Sequence, residues 1–225
     1  LRIKKEFFYP KSVAIIGESE KRGYFWIHSL INNGFDGAIY PVNNKKTSGA
    51  GLKFYKSVLD IPNEVEYAII AVPAKYVPNT IRECAQKGVK FASIFSSGFS
   101  EIGNEGKTLE KEILKITKET GIVCNGPNCM GLYVPKSGLA FRTDSKQIDI
   151  GTVSFVSQSG GIAINLILRG QKQRLLFSKV ISTGNGIDLT PADYIEFLAD
   201  DPETKVIGTY LENLGKTQEE GRKLF

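Results

Sequence analysis

Short apolar runs alternate with stretches of helical period along almost the whole chain, and a chain patterned this way has few folds open to it. Ser12-Val13-Ala14-Ile15-Ile16-Gly17 reads as a buried strand. A polar loop follows, and Trp26, Ile27, Leu30 and Ile31 then recur along one helix face until Gly34 stops it. The same order returns with strands predicted at 38–42, 67–72, 91–96 and 122–124 and helices at 77–87 and 105–120. Strands alternating with helices predict a parallel, doubly wound sheet covered on both faces. Between Asn125 and Gly151 the pattern gives way to Gly, Pro and Lys with two short apolar pieces, which reads as a hairpin-like linker. A second cycle predicts strands at 152–156, 177–181 and 206–211 and helices at 162–168 and 192–198, while 217–225 reads as a helix cut short. The expected division is a first domain over 1–127, a linker over 128–150 and an incomplete second domain over 151–225.

Composition narrows the class further. No run of about 18 apolar residues is present, and Leu1-Arg2-Ile3-Lys4-Lys5-Glu6 lacks the apolar core of a secretory signal. The expectation is a soluble, cytoplasmic protein with no membrane contact. Cys84, Cys124 and Cys129 are odd in number and lack zinc-site spacing, which predicts neither a disulfide framework nor a metal. The net charge of +5 is spread among acidic residues rather than gathered in an arm. That argues against nucleic acid and for a phosphorylated small molecule.

The loops at strand carboxyl ends carry the chemistry. Gly17-Glu18-Ser19-Glu20-Lys21-Arg22-Gly23 joins the first strand to the first helix, where backbone amides attract phosphate. A dinucleotide fingerprint would place glycines at 17, 19 and 22, yet Ser19 and Arg22 stand at two of those positions. The second strand ends in Pro41-Val42-Asn43-Asn44-Lys45-Lys46 instead of the carboxylate that a nicotinamide cofactor favours, and these amides and ammonium groups suit an extra phosphate. Val72-Pro73-Ala74 and Ser96-Ser97-Gly98 follow the next two strands and are expected to line the same crevice, although each such loop also serves as a plain turn. Ser157-Gln158-Ser159-Gly160-Gly161 leaves a strand and opens a helix. It reads either as an anion cradle or as a serine N-cap. Cys129, without a neighbouring base, reads as a small buried residue, and the single histidine, His28, as a surface or packing residue. Glu212 ends a strand on the edge that carries the serine loop, either as an orienting carboxylate or as an exposed strand end.

In this order, Phe8-Tyr9-Pro10-Lys11-Ser12-Val13-Ala14-Ile15-Ile16-Gly17, Tyr40-Pro41-Val42-Asn43, Gly126-Pro127-Asn128-Cys129-Met130-Gly131, Val156-Ser157-Gln158-Ser159-Gly160-Gly161 and Ser182-Thr183-Gly184-Asn185-Gly186 resemble the acyl-CoA synthetases (NDP-forming). That family includes ADP-forming acetyl-CoA synthetase and, more distantly, the succinyl-CoA synthetase alpha subunit. Asp200-Asp201-Pro202-Glu203-Thr204-Lys205-Val206-Ile207, continuing to Tyr210-Leu211-Glu212, extends the resemblance over almost the whole chain. It implies a Rossmann-like doubly wound domain that holds coenzyme A, followed by a truncated flavodoxin-like α/β ligase domain. The CoA residues implied are Gly17, Ser19, Glu20, Lys21, Arg22, Gly23, Val42, Asn43, Asn44, Lys45, Val72, Pro73, Ala74, Ser96, Ser97, Gly98, Asn128 and Cys129.

The resemblance also implies that Ser157, Ser159, Gly160 and Gly161 help hold the phosphoryl group of a phosphohistidine, with Glu212 assisting that histidine. The histidine itself is expected beyond Phe225, and no metal ligand is assigned to this chain. ATP or ADP and Mg are expected on an ATP-grasp domain, fused or in a beta subunit, within a homo- or hetero-oligomer. The implied reaction is acyl-CoA + ADP + phosphate to acid + ATP + CoA, reversible, which this chain alone is expected not to complete. A non-catalytic CoA-binding or CoA-sensing module shares the first domain but needs neither Glu212 nor the serine loop. A nicotinamide-binding protein is disfavoured by the broken glycine spacing.

Overall fold

A computed structural model describes residues 2–144, 149–213 and 221–222. The elements, in order, are β1 (Ser12–Ile16), α1 (Phe25–Asn32), β2 (Ala38–Val42), β3 (Ser48–Gly49), β4 (Leu52–Lys53), β5 (Tyr67–Ile70), α2 (Val77–Lys87), β6 (Phe91–Ile94), α3 (Asn104–Thr120), β7 (Val123–Asn125) and β8 (Gly131–Tyr133). They continue with β9 (Val153–Ser157), α4 (Gly160–Lys172), β10 (Phe177–Ser182), α5 (Pro191–Ala199) and β11 (Val206–Tyr210). Apart from Gly221 and Arg222, the helix expected at 217–225 lies outside the described residues.

The first sheet runs β2-β1-β5-β6-β7, with every pairing parallel. Side chains alternate across a strand, so its near-continuous apolar runs feed two cores. Val13, Ile15, Tyr67, Ile69 and Phe91 pack on one face with Trp26, Ile27 and Leu30 of α1. Ala14, Ile16, Ala68, Ile70, Ala92 and Ile94 pack on the other with Val77 and Ile81 of α2 and Ile113 and Ile116 of α3. The strand order reverses between β1 and β5, and the crevice above such a point is where open α/β sheets take ligands. Gly17 allows the chain to turn there. It sits at φ +96°, and a Cβ on it would come within 2.7 Å of the Ala71 carbonyl oxygen.

A second sheet runs β11-β9-β10-β8, parallel except for β8, which pairs antiparallel with β10. The interval expected as a linker thus carries a strand of the second sheet, followed by a bridge between Val134 and Leu139. Strands this short carry no readable periodicity.

One hydrophobic cluster runs from the α1 face of the first sheet through β8, β9, β10 and α5. Phe7 stacks on Phe91 at 4.7 Å and Phe8 on Phe197 at 5.1 Å, so the N-terminal segment is wedged between the two sheets. Beside it Lys179, fully buried, places Nζ 2.7 Å from Asp201 Oδ2 and 3.0 Å from Glu203 Oε2. Tyr9 donates its hydroxyl to Glu203, and Lys136 adds an ion pair at 2.6 Å. Burial works to raise the Glu203 carboxyl, but hydrogen bonds from Lys136, Tyr9 and Lys179 outweigh it and hold the group at about 2. Removing one partner from a buried charge pair costs about 3–5 kcal/mol. The knot therefore ties the N-terminal segment, through Tyr9, to the second sheet. No helix among the described residues is long and apolar enough to cross a membrane.

Candidate functional site

Two clefts open along the carboxyl ends of the strands, and they share a wall made of Arg22, Ala71, Val72 and Pro73. The smaller, about 560 Å³, lies over the first sheet and is lined by Gly17, Val42, Asn43, Asn44, Lys45, Lys56 and Ser57, with Tyr76, Thr80 and Glu83 at its side. The Asn43 side chain shapes this rim: its Oδ1 accepts from the Lys45 amide at 2.9 Å, and its Nδ2 donates to the Glu18 carbonyl at 2.8 Å. Arg22 donates to the carbonyls of Gly17 and Ala71, the latter at 2.9 Å, and its guanidinium thus borders both clefts. Lys45, Lys56 and Arg22 give the smaller cleft three cationic side chains, a setting for phosphate groups.

The loop after β1 departs from the expectation. The first amides of α1 do not face the cleft as a phosphate site, because Glu18 occupies them. Its Oε2 accepts from Trp26 N at 2.8 Å and Ile27 N at 3.2 Å, its Oε1 accepts from Ser19 N at 2.9 Å, and the residue is fully buried. Ser19, Glu20, Lys21 and Gly23 line neither cleft, and Glu20 instead pairs with Lys46 at 2.5 Å across the surface. The strand-to-helix turn is where the sequence placed it, yet its side chains are spent on the turn itself.

The larger cleft, about 710 Å³, lies between the two sheets. Val72, Pro73, Ser96 and Ser97 line it from the first sheet, Asn128, Cys129 and Met130 from the crossing, and Gln158, Ser159, Gly160, Gly161, Gly184, Asn185 and Glu212 from the second. Ala74 and Gly98 line neither cleft. The Gly98 amide is taken by Glu101 Oε1 at 2.7 Å. Cys129 is buried, with Sγ donating to the Ile94 carbonyl at 3.4 Å. Burial pushes its thiol up to about 12, which disfavours the thiolate near neutrality. His28 is exposed on α1 and lines neither cleft.

The serine loop is built to leave the start of α4 accessible. Ser157 is buried below it and donates to the Ser159 carbonyl at 2.7 Å, so it supports the loop without lining the cleft. Ser159 caps α4, its Oγ accepting from Ile162 N at 3.4 Å. A Cβ on Gly161 would meet nothing closer than Ser159 Oγ at 3.9 Å, whereas one on Gly160 would press on Met130 Cγ at 2.8 Å. Glu212 is held beside the loop by Gln158, whose Oε1 accepts from Glu212 N at 2.5 Å and Asn213 N at 3.0 Å. The result is a helix N-terminus capped by an uncharged side chain and a glutamate lining one cleft, which suits an anion at the helix start and a cationic or hydrogen-bonding group beside Glu212.

Sequence reasoning passed over several lining residues. Asn185 follows β10 in a Gly-Asn-Gly turn, the same strand-end position that marked the serine loop. Its Nδ2 donates to Glu101 Oε2 and to Glu110 Oε1, each at 2.8 Å, tying the second sheet's loop to the segment after β6 and to α3. Lys56 and Ser57 come from the segment after the β3–β4 pair, which carries no helical or strand period. Among the described residues no group of three His, Cys, Asp or Glu is placed to hold a metal ion.

Residues 11–135 match the family model described as a CoA binding domain, and residues 150–224 match that of the succinyl-CoA ligase like flavodoxin domain. The acetate–CoA ligase (ADP-forming) II of Archaeoglobus fulgidus is 43% identical over 217 residues, covering 93% of this chain and 32% of that protein. The alpha subunit of acetate–CoA ligase (ADP-forming) I of Pyrococcus furiosus is 41% identical, covering 92% of this chain and 46% of the subunit. Among solved structures, the dinucleotide forming acetyl-coenzyme A synthetase 1 of Ca. Korarchaeum cryptofilum, in complex with phosphate and ADP, superposes with a TM-score of 0.90 at 33% identity, covering all of this chain and 48% of that one. The chain thus spans less than half the length of these relatives.

Proposed function

Because the chain belongs to the family of CoA binding domains, we propose that its two clefts hold one molecule of coenzyme A end to end, as the CoA-binding portion of an ADP-forming acid–CoA ligase. The observation that carries this reading is the wall shared by the clefts. A cationic cleft at the strand-order reversal is continuous, past Arg22, Val72 and Pro73, with a cleft that reaches the serine loop and Glu212. An extended ligand with phosphates at one end and a reactive thiol at the other fits that arrangement. Gly17, Arg22, Val42, Asn43, Asn44 and Lys45 then face the phosphate end, while Val72, Pro73, Ser96, Ser97, Asn128 and Cys129 line the passage. Residues 1–127 act as the CoA unit, 128–150 as the connection and 151–225 as part of the ligase unit.

In the larger cleft, Ser159, Gly160 and Gly161 offer backbone amides and a hydroxyl to a phosphoryl group, with Ser157 bracing the loop from below. Glu212, held by Gln158, orients the histidine that carries that group. The histidine comes from sequence outside this chain, and an ATP-grasp partner, fused or separate within an oligomer, brings ATP or ADP with Mg. The reaction served is acyl-CoA + ADP + phosphate to acid + ATP + CoA, in the cytoplasm. A CoA-sensing module would have no use for Glu212 and the serine loop in the same cleft.

Isothermal titration with CoA, dephospho-CoA and NAD tests the assignment. CoA is expected to bind most tightly, and dephospho-CoA more weakly because it lacks a phosphate for Lys45 and Lys56. Equal affinity for all three would sink the reading.

A further inference from the structure

We propose that Glu18 is a specificity-determining residue, a built-in anion that closes the start of α1 to a ligand's pyrophosphate and turns dinucleotides away from the CoA crevice. The inference rests on the CoA reading of the smaller cleft and deepens it. In a doubly wound sheet the amides at the start of the helix after the first strand are the natural seat of a dinucleotide's pyrophosphate. In this chain the N-cap position of α1 is Tyr24, whose side chain makes no capping bond. The carboxylate of Glu18 reaches in from the far side of the loop instead. It takes Trp26 N, Ile27 N and Ser19 N, while its own carbonyl is held by Asn43 Nδ2 at 2.8 Å. The side chain is fully buried and its oxygens are engaged on three amides, so a phosphate can reach those amides only by expelling a charged group of its own sign.

A helix that needed only a cap would be served by a neutral hydroxyl, as Ser159 serves α4 in the same chain. What Glu18 adds is negative charge, placed behind Gly17 at the strand-order reversal. The cationic groups lie to the other side, at Arg22, Lys45 and Lys56, so a ligand's phosphates are drawn away from the helix start and onto side chains. CoA, whose 3′-phosphate and pyrophosphate share one end, suits that displaced cationic patch. A dinucleotide requires the position that Glu18 fills.

The experiment compares the wild type with Glu18→Ala and Glu18→Gln, using titration calorimetry with CoA and NAD and thermal melts in rising inorganic pyrophosphate. The wild type is expected to bind CoA, to give no heat with NAD, and to be stabilised only slightly by millimolar pyrophosphate, through the cationic side chains of the cleft. Glu18→Ala, with the amides freed, is expected to gain NAD binding and to be stabilised by pyrophosphate much more than the wild type. Glu18→Gln keeps an acceptor oxygen for the Trp26 amide without the charge. It is expected to fold and to bind pyrophosphate about tenfold more tightly than the wild type, since like charges no longer oppose each other. If Glu18→Ala does not fold, Glu18→Gln decides alone. Variants that are folded, bind CoA and respond to NAD and pyrophosphate no more than the wild type does would overturn the proposal. A wild type that fails to bind CoA would overturn the CoA reading instead, and the pyrophosphate response would still report on Glu18.

Discussion

At the turn from β1 into α1 the first helical amides are met by the buried carboxylate of Glu18, whereas at the turn from β9 into α4 they are met by the neutral hydroxyl of Ser159, with Gly160 and Gly161 beside an open cleft. Both turns join a buried strand to a helix at the carboxyl edge of a parallel sheet, and both helix starts carry the same partial positive charge. What differs is whether the protein neutralises that charge itself or leaves it for a ligand. A strand-loop-helix turn therefore identifies a place where an anion is welcome, and only the side chains around it say whose anion it is. In the proposed reading, the attraction for phosphate passes in the first unit to Arg22, Lys45 and Lys56, which line the smaller cleft, and remains in the second with the backbone.

The sharpest way to break the comparison is to obstruct the open turn. In the full-length protein, if it works as the ligase proposed above, Gly161→Val places a side chain at a position where a Cβ meets only Ser159 Oγ, at 3.9 Å, and so should obstruct the proposed anion. Phosphoenzyme formation, followed with labelled ATP, is expected to fall by about two to three orders of magnitude, the scale of losing a preorganised oxyanion donor. Glu212→Gln, which removes the orienting charge while Gln158 still holds the turn, is expected to fall in the same range. Gly160→Val is the poorer test, since its Cβ strikes Met130. CoA affinity should change far less than phosphorylation in either variant. Normal phosphorylation with collapsed CoA binding would show that the two turns do not divide the work in this way.

Next in size comes the cationic patch that stands in for the closed turn. Lys45→Ala removes one charge-assisted contact worth about 1.5–3 kcal/mol, a loss of about tenfold to a hundredfold in CoA affinity. Dephospho-CoA is expected to lose much less if Lys45 reads the extra phosphate. A similar loss for both ligands would place that phosphate elsewhere, with Lys56 the neighbour to test. Arg22→Ala should weaken both ligands together, because Arg22 borders both clefts and also holds the carbonyls of Gly17 and Ala71.

The two turns were not equally legible in the sequence. The helix read at 77–87 coincides with α2, because Val77, Ile81 and Cys84 recur on one face and Lys87-Gly88 ends it. The loop after β9 announced its cap, since Ser159 stands immediately before the helix it serves. The cap of α1 was hidden. Glu18 lies eight residues before Trp26, beyond the reach of any capping pattern, and Tyr24 at the N-cap position gave no signal. Loop order showed which edge of the sheet would bear ligands, yet it did not show which side chains would face inward. Arg22 and Lys45 line a cleft, while Ser19, Lys21 and Gly98 from the same loops do not. Strand β8 escaped notice because its three residues, Gly131–Tyr133, have too little alternation to read and pair only with the distant β10.

The smallest expected effect is a measurement of the caps themselves. Ser159→Ala removes a neutral acceptor from a single amide, and the Oγ to Ile162 N distance of 3.4 Å is long for such a bond, so the stability lost should be at the lower end of the N-cap range, about 0.5–1 kcal/mol. Glu18→Gln removes a buried charge that serves three amides, and hydrogen bonds to charged groups are worth about 1.5–3 kcal/mol, so its cost should be clearly larger. Urea midpoints of the two variants, measured without phosphate or CoA in the buffer, compare them directly. A closed turn should depend on its carboxylate for stability, while an open turn should depend little on its hydroxyl, because its amides are kept free for a ligand. Equal costs would mean that α4 is capped for stability as α1 is, and the contrast between a turn sealed by the protein and a turn reserved for a phosphoryl group would lose its energetic basis.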